Sequence, residues 1–117
     1  MSTNMWRNAR EVVKVDAGEC VFEQGDPGDV MYAVIDGRVD IALDGKVVES
    51  VGDGGIFGEL ALVEDGPRNA SATAARPSRL ARVDKEHFTF LVHEHPTFAL
   101  QVMSVLAARL RSANARA

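Results

Sequence analysis

The feature that most constrains this chain is a change of period near Asp84. Between residues 18 and 83 the apolar residues come in short bursts, at 20–22, 30–35, 39–43, 47–51, 70–74 and 80–83, separated by Gly, Asp and Pro. Short β-branched runs with turn signals between them predict the strands of an all-β sandwich or barrel. From Asp84 onward the spacing becomes helical. Asp84 can cap a helix whose apolar face is Phe88, Leu91 and Val92. That helix should stop near His95, because Pro96 disfavours helix in the residue before it, and Pro96 then suits the first turn of a second helix. The second helix carries Phe98, Val102, Val105, Leu106 and Leu110 at helical spacing, with Arg109, Arg111 and Arg116 toward its C-terminal end. At the other end of the chain, residues 5–13 read as a short helix with Trp6, Ala9, Val12 and Val13 on one side.

Two turns are specified by residue type. Asp44-Gly45 lies between two apolar runs, a hairpin signal because such a turn needs positive φ. In Asp26-Pro27-Gly28, Pro presets φ and Gly relaxes it. Gly25, Gly37 and Gly45 are all expected to be turn formers.

A chain of 117 residues, 46% hydrophobic and 26% charged, fits one compact domain. Its net charge of −4 gives no bulk attraction to nucleic acid or anionic membrane. The charge is uneven: residues 11–65 hold 14 acidic and 3 basic side chains, residues 66–117 hold 3 and 8. The second half is therefore the half suited to meeting an anion. Cys20 stands alone, which excludes an internal disulfide and a Cys-rich metal site; beside Val21 and Phe22 it is expected to be a buried, inert thiol. No apolar run approaches the ~20 residues of a membrane span, and the first residues lack the order of a signal peptide. The expected compartment is the cytoplasm.

The chemistry concentrates in one stretch. Gly54-Gly55-Ile56-Phe57-Gly58-Glu59-Leu60-Ala61-Leu62 passes a glycine-rich turn into about one helical turn, and a loop ending in Pro67-Arg68-Asn69-Ala70-Ser71 leads into a strand. A helix start presents free backbone N–H groups, and Gly58 lets the backbone approach a ligand with no Cβ in the way. Arg68 offers a planar fork of donors matched to phosphate oxygens. Glu59 is an acceptor where a carboxylate is normally unwelcome, which makes sense if it accepts hydrogen bonds from ligand hydroxyls. Phosphate beside a hydroxyl acceptor points to a nucleotide with a free ribose hydroxyl.

The run Phe57-Gly58-Glu59-Leu60-Ala61-Leu62, followed by Pro67-Arg68-x-Ala70-Ser71, resembles the phosphate-binding cassette of the cyclic-nucleotide-binding domain family. That family includes protein kinase A regulatory subunits, catabolite-activator proteins and cyclic-nucleotide-gated channels. Gly18-Glu19, Phe22, Gly25-Asp26-Pro27-Gly28-Asp29, Met31-Tyr32, Val34 and Gly37 extend the similarity, which runs from about Val15 to Leu110. The resemblance implies a mainly β fold with flanking helices: a jelly-roll-like β-roll, a short cassette helix and two C-terminal helices. It implies one domain over 1–117, with a helix in 1–14, the roll over 15–83 containing the cassette 54–71, and helices over 84–117. By it, Glu59 accepts the ribose 2′-hydroxyl and Arg68 pairs with the cyclic phosphate. Backbone amides near Gly58, Leu60, Ala61 and Ala70 add phosphate contacts, so the ligand-binding set is Phe57, Gly58, Glu59, Leu60, Ala61, Pro67, Arg68, Asn69, Ala70 and Ser71. Met103, Leu106 and Leu110 on the last helix are candidates for a lid over the base.

The sequence departs from the family pattern at Gly55, where an acid is common, and at Asn69, where relatives often carry Ala, Thr or Ser. Asn69 bears on the choice between cAMP and cGMP; cAMP is the expected ligand. The implied function is a cyclic-nucleotide sensor that signals to a protein partner, with a cGMP-selective sensor and a structural domain that has lost the ligand as the alternatives. No catalytic residue, metal or cofactor is expected: His87, His93 and His95 lack a ligand spacing, and no P-loop or dinucleotide motif occurs.

Overall fold

A computed structural model describes Trp6 and residues 9–116. Among the described residues, six strands form one antiparallel sheet. They are β1 (Val12–Val15), β2 (Cys20–Phe22), β3 (Val30–Leu43), β4 (Lys46–Val51), β5 (Ile56–Phe57) and β6 (Ser71–Asp84). A 3-10 turn spans Glu59–Leu62, and two helices follow, α1 (Lys85–Glu94) and α2 (Pro96–Arg116). The main path of the sheet runs β1-β6-β3-β4, with β2 added on β6 and β5 on β3. The fold is a β-roll with two C-terminal helices.

The long strands β3 and β6 are its spine, paired from Val30↔Asp84 to Ala42↔Ser71. Each joins two of the bursts that were expected as separate strands. Gly37, expected in a turn, instead sits within β3 at φ 120, where the β3–β6 register shifts on both sides. A Cβ there would lie 2.5 Å from the Cβ of Ser78 on β6, so glycine marks a bulge and a close backbone approach. The Asp44-Gly45 hairpin forms as expected, with φ of 51 and 82 closing β3 onto β4.

Inside the roll, Val15, Val34, Val39, Val51, Phe57, Ala72, Ala74 and Leu80 form a buried cluster. Val13, Val21, Phe22, Tyr32 and Ile41 pack against it. Val12 and Val13 therefore belong to a strand, not to the expected N-terminal helix: their β-branched side chains line up in register with Ala81 and Leu80. Trp6 lies in a 3-10 turn, and the rest of that expected helix up to residue 8 falls outside the described residues. Cys20 is exposed rather than buried. It opens the three-residue strand β2, and the irregular register between Cys20 and Phe22 leaves its side chain outside the core. Residual burial, then the Glu23 carboxylate, push its thiol pKa up, which disfavours the reactive thiolate.

The chain divides into two compact units, residues 1–85 and 86–117. In the second, α1 ends at Glu94, where His95 N–H still bonds the Leu91 carbonyl at 2.8 Å, and α2 begins at Pro96. Phe88 and Phe98 meet edge to face at 5.6 Å between centroids. Leu91, Phe98 and Val102 are buried. Leu110, expected on the same apolar face as Phe98, is exposed; it lies about 120° around the helix from Phe98, a consequence of 3.6 residues per turn.

Candidate functional site

The site is built around Arg68, and the chain fixes that residue from its backbone outward. The Gly25 N–H donates to the Arg68 carbonyl at 2.8 Å, and the Arg68 N–H donates to the Asp26 carbonyl at 2.7 Å. Pro27 and Pro67 pair as an isolated antiparallel bridge. The turn expected at Asp26-Pro27-Gly28 falls instead at Gln24-Gly25, where the Asp26 N–H donates to the Glu23 carbonyl at 3.0 Å and Gly25 takes the positive φ. The segment Gly25-Asp26-Pro27 is thus one half of a clamp, and the loop before β6 is the other.

Held in this way, the Arg68 side chain is only 9% exposed. Nη1 donates to the Gly58 carbonyl at 3.1 Å, and Nη2 to the Val30 carbonyl at 2.8 Å. The guanidinium carbon lies 4.0 Å from the centroid of the Phe22 ring. Nε is buried and has no hydrogen-bond partner among the described residues. Burial pushes the Arg68 pKa down from its ordinary, very high value, opposed by Tyr32, Asp29, Asp26 and Glu59. An arginine starting that high stays charged.

This arrangement is costly for the isolated chain. A buried cation whose hydrogen bonds go to neutral carbonyls has its charge only partly offset by acids at longer range, and a buried donor without an acceptor loses the solvation it had in water. Both costs fall when an anion carrying several acceptor oxygens enters. A phosphate fits this donor set.

Glycine makes the site possible at two points. A Cβ on Gly28 would fall 2.5 Å from Arg68 Cζ and 2.8 Å from Nη2, and closer still to Nε. Gly58 adopts φ 76, and a Cβ there would lie 2.9 Å from Arg68 Nη1. Directly after Gly58, Glu59 opens the 3-10 turn and is 6% exposed, within electrostatic reach of Arg68. An acceptor and a cation therefore sit together in one buried locality, as the sequence predicts.

A protein-family model described as cyclic nucleotide-binding domain matches residues 12–95. The chain belongs to the cyclic nucleotide-binding domain family. It is 36% identical over 102 residues to the CRP-like cAMP-activated global transcriptional regulator of Mycobacterium tuberculosis, covering 83% of this chain and 46% of that protein. It is 36% identical over 108 residues to Lysophospholipase nte1 of Aspergillus terreus, covering 88% of this chain and 7% of that protein. The crystal structure of the Thermus thermophilus catabolite activator protein superposes with a TM-score of 0.78 at 32% identity, over 91% of this chain and 52% of that one. The chain thus spans about half or less of these relatives' own length.

Within this cyclic nucleotide-binding domain the expected site residues do not all stand alike. Gly58, Glu59 and Arg68 converge as described. Leu60 and Ala61 continue the turn half-buried, and the Ala61 N–H bonds the Gly58 carbonyl at 3.3 Å. Phe57 turns its ring into the core, stacked on Tyr32 at 5.4 Å, so its side chain supports the cassette from below. Pro67 is exposed and serves the clamp through its backbone. Asn69 is exposed and Ala70 half-buried. The Ser71 hydroxyl accepts from the Gln24 N–H at 2.8 Å, tying the cassette exit to the loop after β2. Of the lid candidates, Met103 and Leu110 are exposed and Leu106 is half-buried. Sequence reasoning missed Phe22 and Gly28 as partners of Arg68. Both were visible only as parts of the wider family pattern, and nothing local to either points at residue 68.

Proposed function

We propose that this chain is a cAMP sensor domain whose bound nucleotide is read by a protein partner. The observation that carries the reading is the buried Arg68 guanidinium, with a spare donor, beside the buried carboxylate of Glu59. In it, Arg68 pairs with the cyclic phosphate, Glu59 accepts the ribose 2′-hydroxyl, and amides near Gly58, Leu60, Ala61 and Ala70 complete the phosphate contacts. The roll and the two helices act as one sensing module, with Met103, Leu106 and Leu110 as the lid over the base. The chain works by binding and not by catalysis, in the cytoplasm, where a partner protein converts ligand occupancy into output. Adenine is favoured over guanine because the hydroxyl that relatives present toward guanine is replaced by Asn69.

Calorimetric titration with cAMP and cGMP, paired with thermal unfolding, tests this. A ligand that binds only the folded state adds about 2.7 kcal/mol at 100 times its dissociation constant. The expected result is saturable binding and a raised midpoint with cAMP, at least as strong as with cGMP. No shift with either nucleotide would make the chain a structural domain of the same fold. A cGMP preference lost in Asn69→Ala would reverse the reading of the base.

A further inference from the structure

Arg68 has a partner that is neither a carboxylate nor a carbonyl. Its guanidinium carbon stands 4.0 Å over the Phe22 ring, a distance at which a cation is attracted to the electron-rich face. The ring is not free to drift. Phe22 on β2 meets Tyr32 on β3 at 6.1 Å and Phe57 on β5 at 6.0 Å, and those two stack on each other. The three rings form a plate that links three strands and packs against the core cluster. On its other contacts the guanidinium meets the bare Cα of Gly28 and the carbonyls of Gly58 and Val30.

We propose that Phe22 is a positioning residue for ligand binding: its ring face sets the plane in which the Arg68 guanidinium meets an anion. The physical reason lies in what a ring face does not do. A carboxylate in this place would neutralise the arginine and occupy its donors. A ring face orients the planar cation without neutralising its charge. An aliphatic side chain of similar volume would fill the space but give the guanidinium no preferred plane.

The inference rests on Arg68 being the phosphate partner, and a double-mutant cycle separates the two claims. cAMP affinity is measured by calorimetry for the full chain and for Phe22→Leu, Phe22→Tyr, Arg68→Ala and the Phe22→Leu/Arg68→Ala pair. Phe22→Leu should weaken binding about 2- to 30-fold, Phe22→Tyr should restore it, and Phe22→Leu should cost nothing further once Arg68 is gone. Unchanged affinity in Phe22→Leu, or an equal loss with and without Arg68, would overturn the proposal by showing that Phe22 only packs. The side-chain resonances of Arg68 give a readout independent of ligand. Ring current from Phe22 should displace the Hε signal, and Phe22→Leu should abolish that displacement with the fold intact. If Arg68→Ala alone leaves cAMP affinity unchanged, the site reading fails, and the absence of any ring-current displacement would then remove the Phe22 platform as well.

Discussion

Arg68 and Arg79 lie on the same roll and obey opposite rules. Arg79, on β6, faces Asp36 on β3 as its cross-strand partner, and its Nε donates to that carboxylate at 2.9 Å in open solvent. Arg68 is enclosed, and its donors meet only carbonyls and a ring face. The first arrangement is self-sufficient: charge meets charge, water screens both, and such pairs contribute little to stability. The second holds its cation with no carboxylate hydrogen-bonded to it. Where an arginine is paired the fold has used it, and where it is buried and left short of acceptors a ligand can use it.

The widest separation between the two regions should come from deleting each arginine. If Arg68 pairs with the ligand phosphate as proposed, Arg68→Ala removes one member of a desolvated charge pair, at about 2–5 kcal/mol. cAMP affinity should fall roughly 30-fold to several-thousand-fold. Arg79→Ala should change it by no more than about twofold, as a surface substitution far from a special feature does. Calorimetry on both variants decides this, and equal effects would erase the distinction between the sites.

Glu59→Gln should come next. It keeps an acceptor and loses the charge, and hydrogen bonds to charged groups contribute about 1.5–3 kcal/mol. Affinity for cAMP should drop by that margin, while a 2′-deoxy analogue, already lacking the hydroxyl, should be much less affected. Parallel losses for both ligands would take the ribose away from Glu59.

Gly28→Ala sharpens the comparison from the steric side. The added methyl collides with the far end of the Arg68 side chain, not with backbone, so the guanidinium can swing aside and the fold survive. Overpacking of this kind costs about 1–3 kcal/mol. Here it should surface as weaker cAMP binding with a nearly unchanged melting temperature. A large loss of stability with normal affinity would mean that Gly28 serves the turn alone.

The smallest effect belongs to the Arg79 region and to acid pH. The Arg79 hydrogen bond, more than its bare charge, holds the Asp36 carboxyl below its ordinary 3.8. A depressed folded-state pKa contributes stability above 3.8 and loses it as pH falls through the depressed value. Both groups are exposed, so solvent screens the contribution. Arg79→Ala should raise the Asp36 midpoint toward 3.8 in a carboxyl-carbon NMR titration and leave the melting temperature at pH 7 almost untouched. An unmoved midpoint would show the pair to be idle in solution.

What the sequence determined follows from information carried by neighbouring residues. The change of period at Asp84, the Asp44-Gly45 hairpin and the helix break at Pro96 are each written in a few adjacent positions, because backbone propensity is local. The cassette was legible for the same reason: Gly58, Glu59 and Arg68 lie within eleven residues and their chemistry is coherent together. Only the tertiary structure decided the rest. Gly37 became a bulge because Ser78, forty-one positions away, comes too close for a Cβ. Cys20 fell outside the core because β2 meets β6 in an irregular register. Most of all, the environment of Arg68 was set by Phe22, Gly28 and Val30, which approach it across the roll from about forty positions earlier in the chain. Whether a cation is screened by water or held short of acceptors depends on what the fold brings around it. That is a long-range property, and no window of neighbouring residues encodes it.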